Sequence, residues 1–465
     1  MRHSTSFALC LLSIAATAPG RADAADGCAD GTFSSVTSPD GNATSVLFDD
    51  FSAGAGGGAG TARATSTCQL AIPVTRPDGF SVYGVDYRGF VTTQDGQTAR
   101  IVTLQDGRQV LKYEVAGPLE DDVATGGKVG VSGSDTLGLT VVVEATAPVD
   151  PDTPDASLLL DTVDITRLGF TTLSSVTASA DQLARQRQAI AAELIGTAQG
   201  LLGEGERFDA GSAISLFGSS SAAAGFKGRW EAGSGITVLG GAAIVHPDDD
   251  NVSVDTLALL AGALRYTTPQ ATWRAFGEVG VWGSPNVTAN LSRSYLNVDD
   301  IVSAGGTADG SLLSSYGRIG AVFAPDQANE IVLSARFTKA WLDLDGYSET
   351  ATDRNLFAAT VHGGTSSENI VSAEVAWSHQ TEGRLDYTLS GAVGRIFADD
   401  KAVRASVDWV GDVSGRARDQ TFASAGGRIG VRLDDVWRLD TSVAATIRQY
   451  DDPEWNVGAQ LKAAF

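Results

Sequence analysis

From Gly211 to Phe465 apolar and polar residues alternate, segment after segment. In the last segment Trp455, Val457, Ala459, Leu461, Ala463 and Phe465 share one face, opposite Asn456, Gly458, Gln460 and Lys462. Leu385, Tyr387, Leu389, Val393 and Phe397 likewise oppose Asp386, Thr388 and Ser390. A period of two is the signature of strands with one apolar face. Sandwich strands usually have about 5–6 residues. A membrane-spanning strand needs about 9–11, apolar toward lipid and polar toward the lumen. The segments have the longer, membrane-spanning length. They fall near 211–230, 235–246, 254–267, 272–283, 287–298, 311–324, 330–343, 368–380, 384–397, 403–433, 435–449 and 455–465. This predicts an antiparallel transmembrane β-barrel of about twelve strands, an even number as in bacterial barrels. Trp273, Trp282, Trp341, Trp377, Trp437 and Trp455 fall near segment ends, where an interfacial girdle is expected. The soluble alternative, a large sandwich or propeller, fits the strand length less well.

Charge narrows the partners. The chain has 33 basic and 56 acidic residues, a net charge of -23. Nucleic-acid binding needs clustered cations, so that class is disfavoured. After the N-terminus no stretch of 18 uncharged apolar residues occurs, so any membrane crossing falls to strands. The first residues read as a secretory signal: Arg2, an apolar core from Phe7 to Ala16, then Ala22-Asp23-Ala24 as a cleavage site. Residues 1–24 are assigned to the signal, and the mature chain then carries only Cys28 and Cys68. In an exported chain these read most simply as one disulfide. Lipidation of Cys28 is the alternative, but Ala25-Asp26-Gly27 lacks the apolar residue a lipobox requires.

Residues 25–147 hold short β-prone runs such as 44–48, 80–85 and 137–144, punctuated by Pro39-Asp40-Gly41, Pro77-Asp78-Gly79 and Asp106-Gly107. They predict a small all-β domain. Gly54 to Gly60 lacks the Lys-Ser/Thr of a phosphate loop and reads as a flexible loop. The run Pro148 to Asp155 opens an expected linker, 148–175. Val176, Leu183, Ile190, Leu194, Ala198 and Leu201 then recur at helical spacing, predicting one helix over 176–202. Glycines at 200, 203 and 205 end it, so residues 176–204 form its segment and the barrel takes 205–465.

Signatures of catalysis are missing. His246, His362 and His379 lie far apart, and no Cys-x-x-Cys, His-Glu-x-x-His or Gly-x-Ser-x-Gly occurs. The expectation is a non-enzyme with no cofactor and no metal site. Acidic runs at 248–250, 299–300, 399–400 and 451–452 lack calcium-loop spacing and read as solvated turns. Asp86 and Arg88, in Asp-Tyr-Arg-Gly, are candidate ligand contacts, with a structural salt bridge or a turn as the plainer reading.

Two resemblances add to this reading. A helix at 176–202 directly before the alternating strands, and a terminal Phe465 after alternate apolar residues, resemble the translocator domain of classical, type V autotransporters over about 170–465. That resemblance implies a helix lying in the pore, with Arg185 and Arg187 facing acidic residues of the barrel. It also implies that the outer-membrane barrel-assembly machinery reads Trp455, Val457, Ala459, Leu461, Ala463 and Phe465. Separately, Gly27-Cys28, Ser38-Pro39-Asp40-Gly41, 46–51, Cys68-Gln69-Leu70, Pro77-Asp78-Gly79, 85–90 and Gly117-Pro118 resemble a family of small secreted cysteine-containing proteins with no established activity. Together they imply a monomeric barrel in a Gram-negative outer membrane, displaying a β-domain that binds a surface ligand. A channel with a periplasmic N-domain and a surface enzyme remain the alternatives.

Overall fold

A computed structural model describes residues 23–25, 28, 32–202, 207, 212–219, 223–249, 252–269, 272–381, 383–398, 403–450 and 453–464. Of the expected signal over 1–24, residues 1–22 lie outside the described residues, as does the terminal Phe465; Asp23 and Ala24 instead pair with Ala71 and Leu70 in a strand of the first unit. The chain divides into two compact units, Met1–Leu173 and Ser174–Phe465.

The first unit is a β-sandwich. One sheet orders strands Asp23–Ala25, Arg63–Pro73, Thr136–Thr146, Thr98–Gln105 and Arg108–Ala116. The other orders Phe33–Thr37, Ala43–Phe48, Ala156–Thr171, Phe80–Thr93 and Leu119–Ser132, with Ser52–Ala55 also against Ala156–Thr171. Alternate residues of both sheets fill one core, including Val46, Leu70, Ile101, Val141, Leu158 and Ile165. Each such side chain contributes about 1.5–3 kcal/mol on burial. Tyr87 bridges the sheets at 2.6 Å to the Thr103 hydroxyl in this apolar interior. Burial pushes its phenol above the ordinary tyrosine range.

The expected linker over 148–175 is corrected here. Only 148–155 is a turn, and Ala156–Thr171 is a central strand paired on both sides. Its alternation is hidden by irregularities in the pairing to Phe80–Thr93, between Leu160 and Thr162 and again between Arg167 and Gly169. The buried set therefore switches from Leu158 and Leu160 to Val163 and Ile165. The glycine-rich loop is also tied down. Gly58 N–H donates to Asp155 Oδ1 at 2.9 Å, and side chains at 56 or 57 would collide with Asp155 or Asp150.

The second unit opens with a helix, Leu173–Leu201, starting three residues before the expected 176. Then come twelve barrel strands: Ala213–Ser219, Ala223–Glu231, Ile236–Val245, Leu257–Thr267, Trp273–Asn297, Asp300–Phe323, Asn329–Leu344, Gly364–Gln380, Leu385–Ala398, Gln420–Arg432, Trp437–Arg448 and Glu454–Ala464. All neighbours are antiparallel, and the first strand pairs with the last, from Ala213 opposite Ala464 to Ser219 opposite Gly458. Closure leaves no edge, which lipid requires. Among the described residues no helix is long and apolar enough to cross a membrane.

The strand number agrees with the alternation, but three boundaries are corrected. The expected segment 211–230 is two strands, Ala213–Ser219 and Ala223–Glu231; it reads as one because outward Ile214, Leu216 and Phe226 keep the same parity. The expected pair 272–283 and 287–298 is one strand. Its ladder to Asp300–Phe323 shifts between Ser284 and Val287, which absorbs Pro285. In 403–433 only Gln420–Arg432 joins the barrel. Val403–Val407 and Gly411–Gly415 pair with Tyr347–Ser348 and Ala359–Val361 in a small sheet.

Candidate functional site, a helix held inside the barrel

Outward positions remain apolar and exposed around the whole wall. Examples from separate strands are Leu216, Phe226, Val238, Leu264, Val279, Ile319, Leu333, Val375, Leu389, Ile429, Val443 and Val457. Soluble surfaces rarely expose a contiguous apolar patch above a few hundred Å². A lipid-facing barrel must. Near one end Trp230, Tyr266, Trp273, Trp377 and Trp437 are exposed, as in an interfacial belt. Trp282 is the exception: it faces inward and is buried, so the girdle expected of it is corrected. Its even-numbered position matches that of inward Arg274, Phe276 and Glu278.

The two ends differ. Chain turns 232–235, 268–272, 324–328, 381–384 and 433–436 are short and lie at the end where the first strand begins. The other end carries the long connections 246–256, 345–363 and 399–419, and strands five and six run on past the wall there.

The helix lies in the lumen, with Ala184, Ala191, Ala192 and Ala198 buried in close contact. Its first half is gripped from two sides at the long-loop end. On one side backbone N–H groups of the extended fifth strand donate to helix side chains: Leu296 to Ser175 Oγ at 2.8 Å, Ser294 to Gln182 Oε1 at 2.9 Å, and Ser292 to Gln186 Oε1 at 3.0 Å. These alternate residues use their other edge for the helix, since the sixth strand takes the opposite edge. On the other side Arg416 N–H donates to Asp181 Oδ1 at 2.8 Å, and Gln188 Nε2 donates to Arg418 O at 2.9 Å. A side chain at Gly415 would run into the Ala180 carbonyl. At the helix's last turn Lys227 Nζ donates to Gly200 O at 2.9 Å, a cation on orphan carbonyls.

One fully buried ion pair ties these parts together. Arg293 meets Glu349 through two bonds of 2.8 Å. It also donates to Ser179 Oγ on the helix at 3.1 Å and to Phe357 O at 2.5 Å. Glu349 accepts from Ala359 N–H at 2.8 Å. Strand, helix and long loop thus share one guanidinium.

Elsewhere in the lumen acids and bases of the wall pair with each other. Arg265 meets Glu278 at 2.5 Å, Arg318 meets Glu374 at 2.9 Å, and Arg428 meets Asp440 at 3.2 Å. A cavity of 370 Å³ remains between the helix's second half, at Ala192, Ile195 and Gly196, and this charged wall.

Arg187 is buried and donates to Gly364 O at 3.3 Å. Arg185 is half-buried and makes no ion pair among the described residues. The helix is held mainly by serine, glutamine and aspartate side chains on backbone groups, which the sequence reading did not single out. The spacing of Gln182 and Gln186, one turn apart on one face, is the signal that was available. In the last strand Trp455, Val457, Ala459 and Leu461 face outward and Ala463 is half-buried. Cys28 and Cys68 form a disulfide, Cα atoms 5.1 Å apart across a separation of 40 residues. Asp86 and Arg88 are both exposed, and Arg88 reaches Asp164 at 3.9 Å rather than Asp86. Asp86 sits directly opposite Asp164 in the sheet. Among the described residues no group of three or more His, Cys, Asp or Glu could hold a metal ion.

Residues 24–135 match a domain of unknown function, DUF4360. A 72-residue stretch is 40% identical to an uncharacterized secreted protein of Arthroderma benhamiae, covering 15% of this chain and 29% of that protein. The chain thus spans less than a third of the curated relative it matches. Among solved structures, it is similar to the translocator domain of the autotransporter NalP from Neisseria meningitidis, at 13% identity and TM-score 0.44, over 62% of this chain and 99% of that one. It is also similar to the β-domain of the Bordetella autotransporter BrkA, at 12% identity and TM-score 0.36, over 55% and 100%. The hydrocarbon channel CymD follows at 9% identity and TM-score 0.33, over 62% and 98%.

Proposed function

We propose that this chain is an outer-membrane autotransporter whose barrel carries the N-terminal sandwich to the bacterial surface and keeps it there. The observation that supports this most is the helix: it fills a closed barrel and enters from the end with the long loops. Outer-membrane barrels place short turns in the periplasm and long loops outside. A chain N-terminal to such a helix therefore starts on the outer side. The displayed sandwich acts as a binding module for a surface ligand and needs no cofactor or catalytic group. The barrel-assembly machinery recognises the outward apolar face of the last strand, including Trp455, Val457 and Leu461.

Protease added to intact cells tests the orientation. The sandwich is expected to be cut or bound by antibody from outside while the wall survives. Protection of the sandwich until the outer membrane is opened would favour a channel with a periplasmic domain, for which the cavity beside the helix would be the conduit.

A further inference from the structure

The outward face of the wall carries few charges; among the described strand residues its acids are Asp309 and Asp343, both toward the long-loop end. Among the described residues, only two cations occupy outward positions on the twelve strands: Lys339 of the seventh and Arg395 of the ninth. All other strand cations have inward parity, as Lys227, Arg265 and Arg336 do. A cation facing lipid is disfavoured at mid-membrane and tolerated near the interface. Two such cations falling together on one small sector of wall therefore calls for a reason beyond chance.

Their placement is specific. Lys339 is opposite Asn369, and Asn369 is opposite Phe397. Phe337 is opposite Val371, and Val371 is opposite Arg395. The two cations thus flank the eighth strand, one residue pair apart in height, near the long-loop ends of their strands. Each lies over an aromatic ring of its own strand: Lys339 Nζ is 5.4 Å from the Trp341 ring centre, and Arg395 Cζ is 5.1 Å from that of Phe397. On the membrane reading, the rings would hold the stems against the wall and let both heads reach the interface. Arg395 also touches Asp419 at 3.3 Å, a pair in which both side chains are about half exposed. An exposed pair holds weakly, and a guanidinium has further donors to give.

We infer that Lys339 and Arg395, with Trp341 and Phe397 beneath them, form a binding site for the phosphate headgroup of an anionic lipid in the outer leaflet. Two cations at the interface supply the charge, the arginine offers paired donors for phosphate oxygens, and Phe337 and Val371 line the path of an acyl chain. This inference rests on the membrane reading above.

The test uses the full mature chain refolded in phosphatidylcholine vesicles, then extracted in detergent and examined by native mass spectrometry with diphosphorylated lipid A. One lipid should remain bound to the parent. The double variant Lys339→Gln, Arg395→Gln should lose retention about tenfold, equivalent to about 1.4 kcal/mol, whereas Lys339→Arg should keep it. Dephosphorylated lipid A should bind neither. Equal retention by parent and double variant, or by the two forms of the lipid, would overturn the site. Displacement by inorganic phosphate alone would overturn the assignment to a membrane lipid. A heat-modifiable band in the vesicles, checked first for every variant, separates the readings: its absence in the parent sinks the membrane reading itself.

Discussion

Glu144 illustrates how one residue couples the sandwich to pH. Its carboxylate is largely buried and meets Arg63 at 2.5 Å and Arg100 at 2.9 Å. Burial alone would raise its pKa, but the bonds from Arg63 and Arg100 outweigh it and hold the group below the ordinary carboxylate range. A carboxyl whose folded pKa is depressed stabilises the fold above its unfolded pKa. That contribution is lost as pH falls through the lower, folded value. Glu144→Gln should therefore lower the sandwich's stability at neutral pH and flatten its dependence below the ordinary carboxylate range. Thermal unfolding against pH checks this; parallel curves for parent and variant would count against it. The pair was not legible in the sequence, because Arg63, Arg100 and Glu144 meet only through strand register. Asp86 and Arg88 drew notice as part of the Asp-Tyr-Arg-Gly stretch, yet the sheet turns Arg88 toward Asp164.

At the scale of elements, the alternation fixed what most strands are, but their ends followed rules that hydropathy does not carry. Parity persisted from the first barrel strand into the second and hid the boundary between them. The gap between 283 and 287 was read as a boundary and is instead a bulge that absorbs Pro285. Ala156–Thr171 looked like a linker because its buried set changes parity along its length. The helix was legible from its spacing, but its grip was not, since Arg293 lies in a segment that reads as ordinary strand. Removing that guanidinium isolates the buried Glu349 carboxylate. Breaking one partner of a buried pair typically costs about 3–5 kcal/mol. Arg293→Met should lower the barrel's thermal stability by that order and increase hydrogen exchange over Ser175–Gln188, while the last helical turn near Gly200 stays protected. Unchanged exchange in the first half would show that the backbone bonds to Ser175, Gln182 and Gln186 hold the helix alone.

For the whole molecule, a wall apolar outside and charged inside is what the sequence conveyed best, because each strand repeats it independently. The lumen's pairings and the long-loop clasp depend on residues far apart in sequence, and they emerged only with the closed barrel. One junction bears on the proposed display. The sandwich strand stays paired through Thr171, opposite Phe80, and the helix begins at Leu173. Only Thr172 intervenes. Proteases cut exposed, flexible segments and spare paired strands and packed helices. Immunoblots against both ends of the mature chain should accordingly find one intact band in the membrane and no sandwich in the medium; a released fragment would refute this. A flexible insert after Thr172 should make the sandwich removable by added protease. Under the proposed display, a chain joined in this way would have no shedding step: the amount of outer domain presented would be set by the making and turnover of barrels, and a bound ligand would not be discarded by trimming a stalk.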